Sequence, residues 1–148
     1  MRSRIRRVAT AALLAGLLAS GCTQVEEVKH KAVEPYTKEA VGTSGLYRIR
    51  LAQSAVERLD VTTTLVVEAS TRGGLLRPVI PYSGLIYDLN GETWTYTSPE
   101  PLVYIRERIE VDHIADGRVF MIRGPTVGTP VVTAGAAELF GIEFGLGK

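Results

Sequence analysis

Cys22 is the residue best placed to do chemistry. It is the only cysteine among 148 residues, and it directly follows Leu18-Ala19-Ser20-Gly21. With one cysteine, no internal disulfide can form. Small residues before it would let an extended chain enter a signal-peptidase site, and its thiolate is the soft nucleophile that takes a diacylglycerol thioether. Arg2, Arg4, Arg6 and Arg7 form a basic n-region ahead of it, and the apolar run from Val8 to Ala19 follows. That run suits the h-region of a signal peptide and is too short to span a bilayer. The segment resembles a lipobox, with Ala19 where leucine is more usual. Acyl chains contribute about 0.8 kcal/mol per buried CH₂, so several of them make an effectively permanent anchor.

The other chemistry-bearing residues are sparse. The histidines are His30 and His113. His30 reads as a solvated residue of a polar segment. His113 adjoins Asp112 near a strand end, and neighbours on a strand point to opposite faces, which weakens shared ligation. Glu107 and Glu110 also alternate face, with no sequence sign of burial. Gly73-Gly74 lacks the Gly-Lys-Ser/Thr of a phosphate loop. Trp94 and Tyr96 share a strand face and read as core or cross-strand packing. No nucleophile is paired with a base. The expectation is a non-enzymatic protein with no metal and no cofactor.

Four of the 17 basic residues lie in the first seven positions, so the part after Gly21 carries 13 basic against 16 acidic residues, a net charge near −3. Such a body has no basic footprint for nucleic acid. No window after Cys22 has the roughly 18 unbroken apolar residues that a membrane span needs. The organisation expected is a signal peptide over 1–21, a lipidated N-terminus and polar tether over 22–43, and one β-rich domain over 44–148. Location follows: exported, and lipid-anchored to the extracytoplasmic face of the cell membrane or the periplasmic face of an outer membrane.

Within the domain, periodicity changes to two. Leu46–Leu51 reads as a strand with Tyr47, Ile49 and Leu51 on one face. Ser54-Ala55-Val56-Glu57 fits a capping box opening one helical turn, with Val56 and Leu59 inward. Val61–Glu68 reads as one strand, with Val61, Thr63, Leu65 and Val67 sharing a face. Val79–Asp88 follows, notched by Pro81. Asn90-Gly91 makes a hairpin into Thr93–Thr97, which Pro99 and Pro101 end. Leu102–His113 is the longest strand, with Val103, Ile105, Ile109 and Val111 on one face and Arg106, Arg108, Glu110 and Asp112 on the other. Asp116-Gly117 turns it into Arg118–Arg123. A glycine-rich loop over 124–130 leads to the strand Val131–Thr133, and Ala136–Phe140 forms a helical turn. About seven short strands with one or two helical turns predict a mainly β fold, a small barrel or sandwich.

Val79–Asp88, Asn90-Gly91 and Thr93-Trp94-Thr95-Tyr96 resemble periplasmic adaptor subunits of efflux pumps, the membrane fusion proteins of the HlyD and RND-associated type. The likeness continues through Leu102–Arg106, Ile109-Glu110-Val111 and the run from Gly124 to Ala136. Leu59-Asp60-Val61-Thr62-Thr63 is similar to a strand that precedes the family's barrel, with Asp60 in place of the usual glycine. The likeness covers most of residues 44–140. The family's α-helical hairpin and lipoyl-like domain have no room here, since only Ser70–Pro78 lies where they would be inserted. The resemblance implies a stand-alone, lipid-anchored membrane-proximal domain, an accessory or docking part of an envelope transport system. Its partners would be an RND- or ABC-type transporter or another adaptor chain, met through Glu92, Trp94, Pro125, Thr126 and Val127. The alternative is a ligand-binding or sensing lipoprotein whose barrel holds a small molecule, lipid or ion.

Overall fold

The computed structural model of the chain describes residues 34–146. The signal segment, Cys22 and His30 lie outside the described residues. No helix among the described residues is long and apolar enough to cross a membrane.

The fold is mainly β, with eleven strands in two antiparallel sheets. The larger sheet has the order β1 (Tyr36–Ala40), β2 (Tyr47–Leu51), β8 (Val103–Arg108), β7 (Thr93–Glu100), β11 (Pro130–Ala134), β3 (Thr62–Leu65), with β6 (Ile86–Tyr87) paired to part of β7. The smaller has the order β4 (Val67–Ser70), β5 (Leu76–Pro81), β10 (Arg118–Arg123), β9 (Glu110–Ala115). The arrangement is sandwich-like and does not close into a barrel.

The larger sheet is covered on both faces. Val131 and Val132 are adjacent and fully buried, and they belong to different clusters. Val131 packs with Ile80, Val119 and Met121 between the sheets. Val132 packs with Ile49, Tyr96, Tyr104 and Leu139, beneath helices α1 (Gln53–Arg58) and α2 (Ala136–Phe144). Side chains alternate along a strand, so a strand buried on both faces loses its polar half. Thr95, Tyr96 and Thr97 are accordingly all buried in β7.

Eleven strands stand where about seven were expected, because Tyr36–Ala40 adds one and three expected runs each divide between the sheets. Val79–Asp88 is one of these: β5 ends at Pro81, a 3-10 turn follows at Tyr82–Gly84, and the chain resumes as β6 in the larger sheet. Val61–Glu68 is not one strand. It divides into β3 and β4 in different sheets, with Val66 between them at 1% exposure. Val66 N–H donates to Thr129 O, and Val66 O accepts from Gly128 N. Leu65 and Val67, expected to share a face with Val61, are exposed on edge strands while Val61 is buried. Leu102–His113 divides in the same way into β8 and β9 around Ile109, at 2% exposure. Ile109 N–H donates to Thr93 O, and Thr93 Oγ1 donates back to Ile109 O. Strands that switch sheets at a bend are how sandwiches make corners.

Other elements also differ from expectation. Tyr36–Ala40, read as tether, is an edge strand antiparallel to β2. Its charged residues hid it, because edge strands carry charge to resist further pairing. Lys38 Nζ lies 4.6 Å above the Tyr47 ring and donates to Glu143 O at 2.9 Å. The capping box does not form: α1 begins after Ala52 without a side-chain cap, and Gln53 Nε2 donates to Glu57 instead. Ala55 is the buried residue of that helix, with Val56 and Leu59 packed around it. β7 continues through Pro99 by a register shift between Thr97 and Glu100. α2 runs four residues past Phe140, through Gly141, to a left-handed C-cap at Gly145.

Glu107, read as unburied, lies opposite Thr95 on the face turned to the smaller sheet. Burial alone pushes its carboxyl above the ordinary 4.5. A carboxyl raised by folding contributes most below its unfolded value, and that contribution is lost as pH rises through the folded one. Glu107→Gln should therefore raise the melting temperature at neutral pH and have little effect in acid, as thermal unfolding at the two conditions would show.

Candidate functional site

The densest polar cluster lies under α2. Asp88 closes the hairpin between β6 and β7. Its Oδ1 accepts from Asn90 N and Glu92 N, each at 2.9 Å, and its Oδ2 accepts from Trp94 Nε1 at 3.2 Å. Gly91 takes the left-handed conformation that this turn needs. Desolvation pushes the Asp88 carboxyl up. The amides of Glu92 and Asn90, the indole and the charge of Arg106 together outweigh it and hold the carboxyl below its ordinary value.

Two residues on, Tyr96 shares the Trp94 face and stands opposite Arg106 on β8. Phe140, Glu143 and Phe144 are spaced three and four apart on α2, so one helix face carries all three over the sheet. The Arg106 guanidinium is stacked 4.1 Å from the Trp94 ring and lies 5.0 Å from that of Phe144. Its Nε is 3.3 Å from Glu143 Oε2, with side-chain exposures of 7% and 0%. Tyr96 OH donates to the same Glu143 oxygen. Burial first, then Glu143, push the Tyr96 hydroxyl far above its ordinary value. Arg106 Nε and Glu143 Oε1 are buried without a hydrogen-bond partner among the described residues.

Arg106 lines a cleft of about 420 Å³ together with Asp88, Leu89, Asn90, Phe140, Phe144 and Leu146. Its rim is unusually apolar for a surface: Leu89 is 101%, Leu146 73% and Phe144 49% exposed. Arg106, Phe140 and Phe144 place the cleft on the α2 side of the larger sheet, outside the layer between the sheets.

Of the five residues expected to meet a partner, Trp94 belongs to this site. Glu92 forms an ion pair with Arg108 at 2.7 Å and lines the groove on the other side of the hairpin. Pro125 is buried and cannot present a surface, because the loop folds inward at that residue. Thr126 is exposed, with Oγ1 3.2 Å from Thr129 Oγ1, and Val127 is exposed beside the Val66 corner. His113 stacks on Phe120 at 4.3 Å, 3.2 Å from Asp112, and lines a separate groove.

Arg106, Glu143, Phe140, Phe144 and Asp88 were not legible as a site. Arg106 in particular was read only as sharing a strand face with Arg108, Glu110 and Asp112. The one available signal was Glu143, a lone carboxylate in the apolar run from Leu139 to Phe144. Such a residue needs a buried cation.

No family model, no curated protein and no solved structure matches the chain.

Proposed function

We propose that this chain is a non-enzymatic, membrane-anchored lipoprotein that docks on a component of an envelope transport system. The observation that supports docking is the exposed apolar rim of Leu89, Phe144 and Leu146. Contiguous exposed apolar surface rimmed by polar groups is characteristic of interaction sites. The transport setting rests on the sequence resemblance to efflux adaptors, and the anchor rests on Cys22. A short tether would hold the domain close to its membrane, at the height where a transporter's extracytoplasmic part is met.

Photocrosslinking residues placed at Leu89 and Leu146 in living cells test this. The expected result is an adduct with a transporter or another adaptor chain, identified by mass spectrometry and lost in Cys22→Ala. Absence of any protein adduct from both positions would overturn the docking reading.

A further inference from the structure

Arg106 is an unusual residue for an apolar cleft. It lines the cleft with 7% of its side chain exposed, while its Nε is buried against Glu143. The guanidinium carries five N–H donors in a planar fork. Its Nε is in ion-pair contact with Glu143 but not hydrogen-bonded, and its outer nitrogens donate to none of the described residues. The outer nitrogens are not among the buried unpartnered atoms, so they stay free to donate to an acceptor that enters the cleft.

Charge decides what kind of acceptor that is. One cation, Arg106, is already answered by two carboxylates: Glu143 in contact, and Asp88 close enough to feel its field. A ligand anion would add a third negative charge, so a neutral acceptor suits the site and a charged one does not. The walls supply the rest of the specification, since Phe140, Phe144, Leu89 and Leu146 want an apolar body. The volume falls within the range of small-molecule sites, which combine apolar walls with a few placed polar groups.

We infer that the cleft over Arg106 is a binding site for an uncharged, apolar small molecule bearing a hydrogen-bond acceptor such as a carbonyl, which the outer edge of Arg106 engages. The site shares Leu89, Phe144 and Leu146 with the surface proposed for docking, but ligand binding does not require that docking.

Trp94 is the only tryptophan of the chain and lies against Arg106, so it supplies one indole N–H resonance as a reporter. The full chain, labelled with nitrogen-15, is titrated with three probes of matched size: acetophenone, ethylbenzene and benzoate. The expected result is saturable movement of the Trp94 resonance, with acetophenone binding about fivefold more tightly than ethylbenzene. Benzoate should bind most weakly. Leu146→Asp, at an exposed wall position that leaves the core intact, should weaken acetophenone binding. Arg106→Lys keeps the charge but not the fork, and should erase the advantage of the ketone over the hydrocarbon.

Equal binding of acetophenone and ethylbenzene, tightest binding of benzoate, or no saturable shift with any probe would each overturn the inference. So would unchanged acetophenone binding in Leu146→Asp. If Arg106→Lys does not fold, the three-probe comparison on the unmodified chain still decides. Failure here with successful crosslinking from Leu89 would leave a docking surface without a ligand site, and the converse would separate the two readings the other way.

Discussion

Arg106→Met should destabilise the domain by about 3–5 kcal/mol, the cost of stranding one member of a buried ion pair. The Glu143 side chain is fully buried, and its Oε1 already lacks a partner. Without Arg106 it keeps only the Tyr96 hydroxyl. The attraction between the two charges is not the main quantity lost, because burying them cost much of it. What remains is an uncompensated carboxylate in an apolar layer. The double variant Arg106→Met, Glu143→Leu should therefore recover much of the loss, and chemical denaturation of the three chains checks this. Equal damage in the single and double variants would mean that packing against Trp94 and Phe144, rather than charge, holds α2 in place.

The same cluster shapes the alkaline limb of stability. Folding raises the Tyr96 hydroxyl above its ordinary value near 10. Its contribution is complete below the unfolded value and is lost as pH climbs above it. Tyr96→Phe should flatten that limb while lowering stability at neutral pH, since Glu143 loses its remaining hydroxyl donor.

Gly135→Ala should cost about 2–5 kcal/mol, combining the left-handed backbone penalty with overpacking. Gly135 is the N-cap of α2 with φ of 79°. A Cβ there would lie 2.6 Å from Val61 Cγ2, 3.1 Å from Val61 Cα and 3.2 Å from Leu59 O. Two of those three atoms are backbone and cannot rotate aside. The close approach seats α2 against the chain leaving α1, so the substitution pushes on both helices. Gly141→Ala is the matched control in the middle of the same helix. Apart from its chain neighbours and the helix's own backbone, no atom lies within 4 Å of its added Cβ, and it should stabilise by about 0.5–1 kcal/mol through helix propensity. Thermal unfolding of both chains measures the contrast. Two losses of similar size would mean that the space at Gly135 is not the cause.

Local chemistry made parts of this fold legible. Asn90-Gly91 and Asp116-Gly117 announce tight turns, and both hairpins form, with Gly91, Asp116 and Gly117 all at positive φ. The inward face of Leu46–Leu51 was readable because one side of β2 carries arginines, and Arg48 and Arg50 do reach out to Glu100. Alternation fails wherever a second layer covers the other face. Arg106 shares its strand face with Arg108 in the pattern, and only the arrival of α2, thirty residues later in the chain, buries it. The corners at Val66 and Ile109 were invisible for a related reason. An apolar residue at a bend and one in a strand look alike until the partners of the flanking residues are known. Glu107 was missed because the chain turns at Ile109 into the smaller sheet, and that corner, which covers the Glu107 face, leaves no mark in the alternation.

The two corners also bear on how the domain comes apart. Each edge strand of the smaller sheet is joined through one buried residue to a strand of the larger one: β4 to β3 through Val66, and β9 to β8 through Ile109. Neither sheet can peel away while the other stays whole, because withdrawing Val66 or Ile109 uncovers the layer that both sheets share. The domain is therefore expected to unfold as a single cooperative unit, with coincident loss of both sheets by different probes. Its pairings span long stretches of chain, β3 meeting β11 some seventy residues on, so closing that pairing is the slow event of folding.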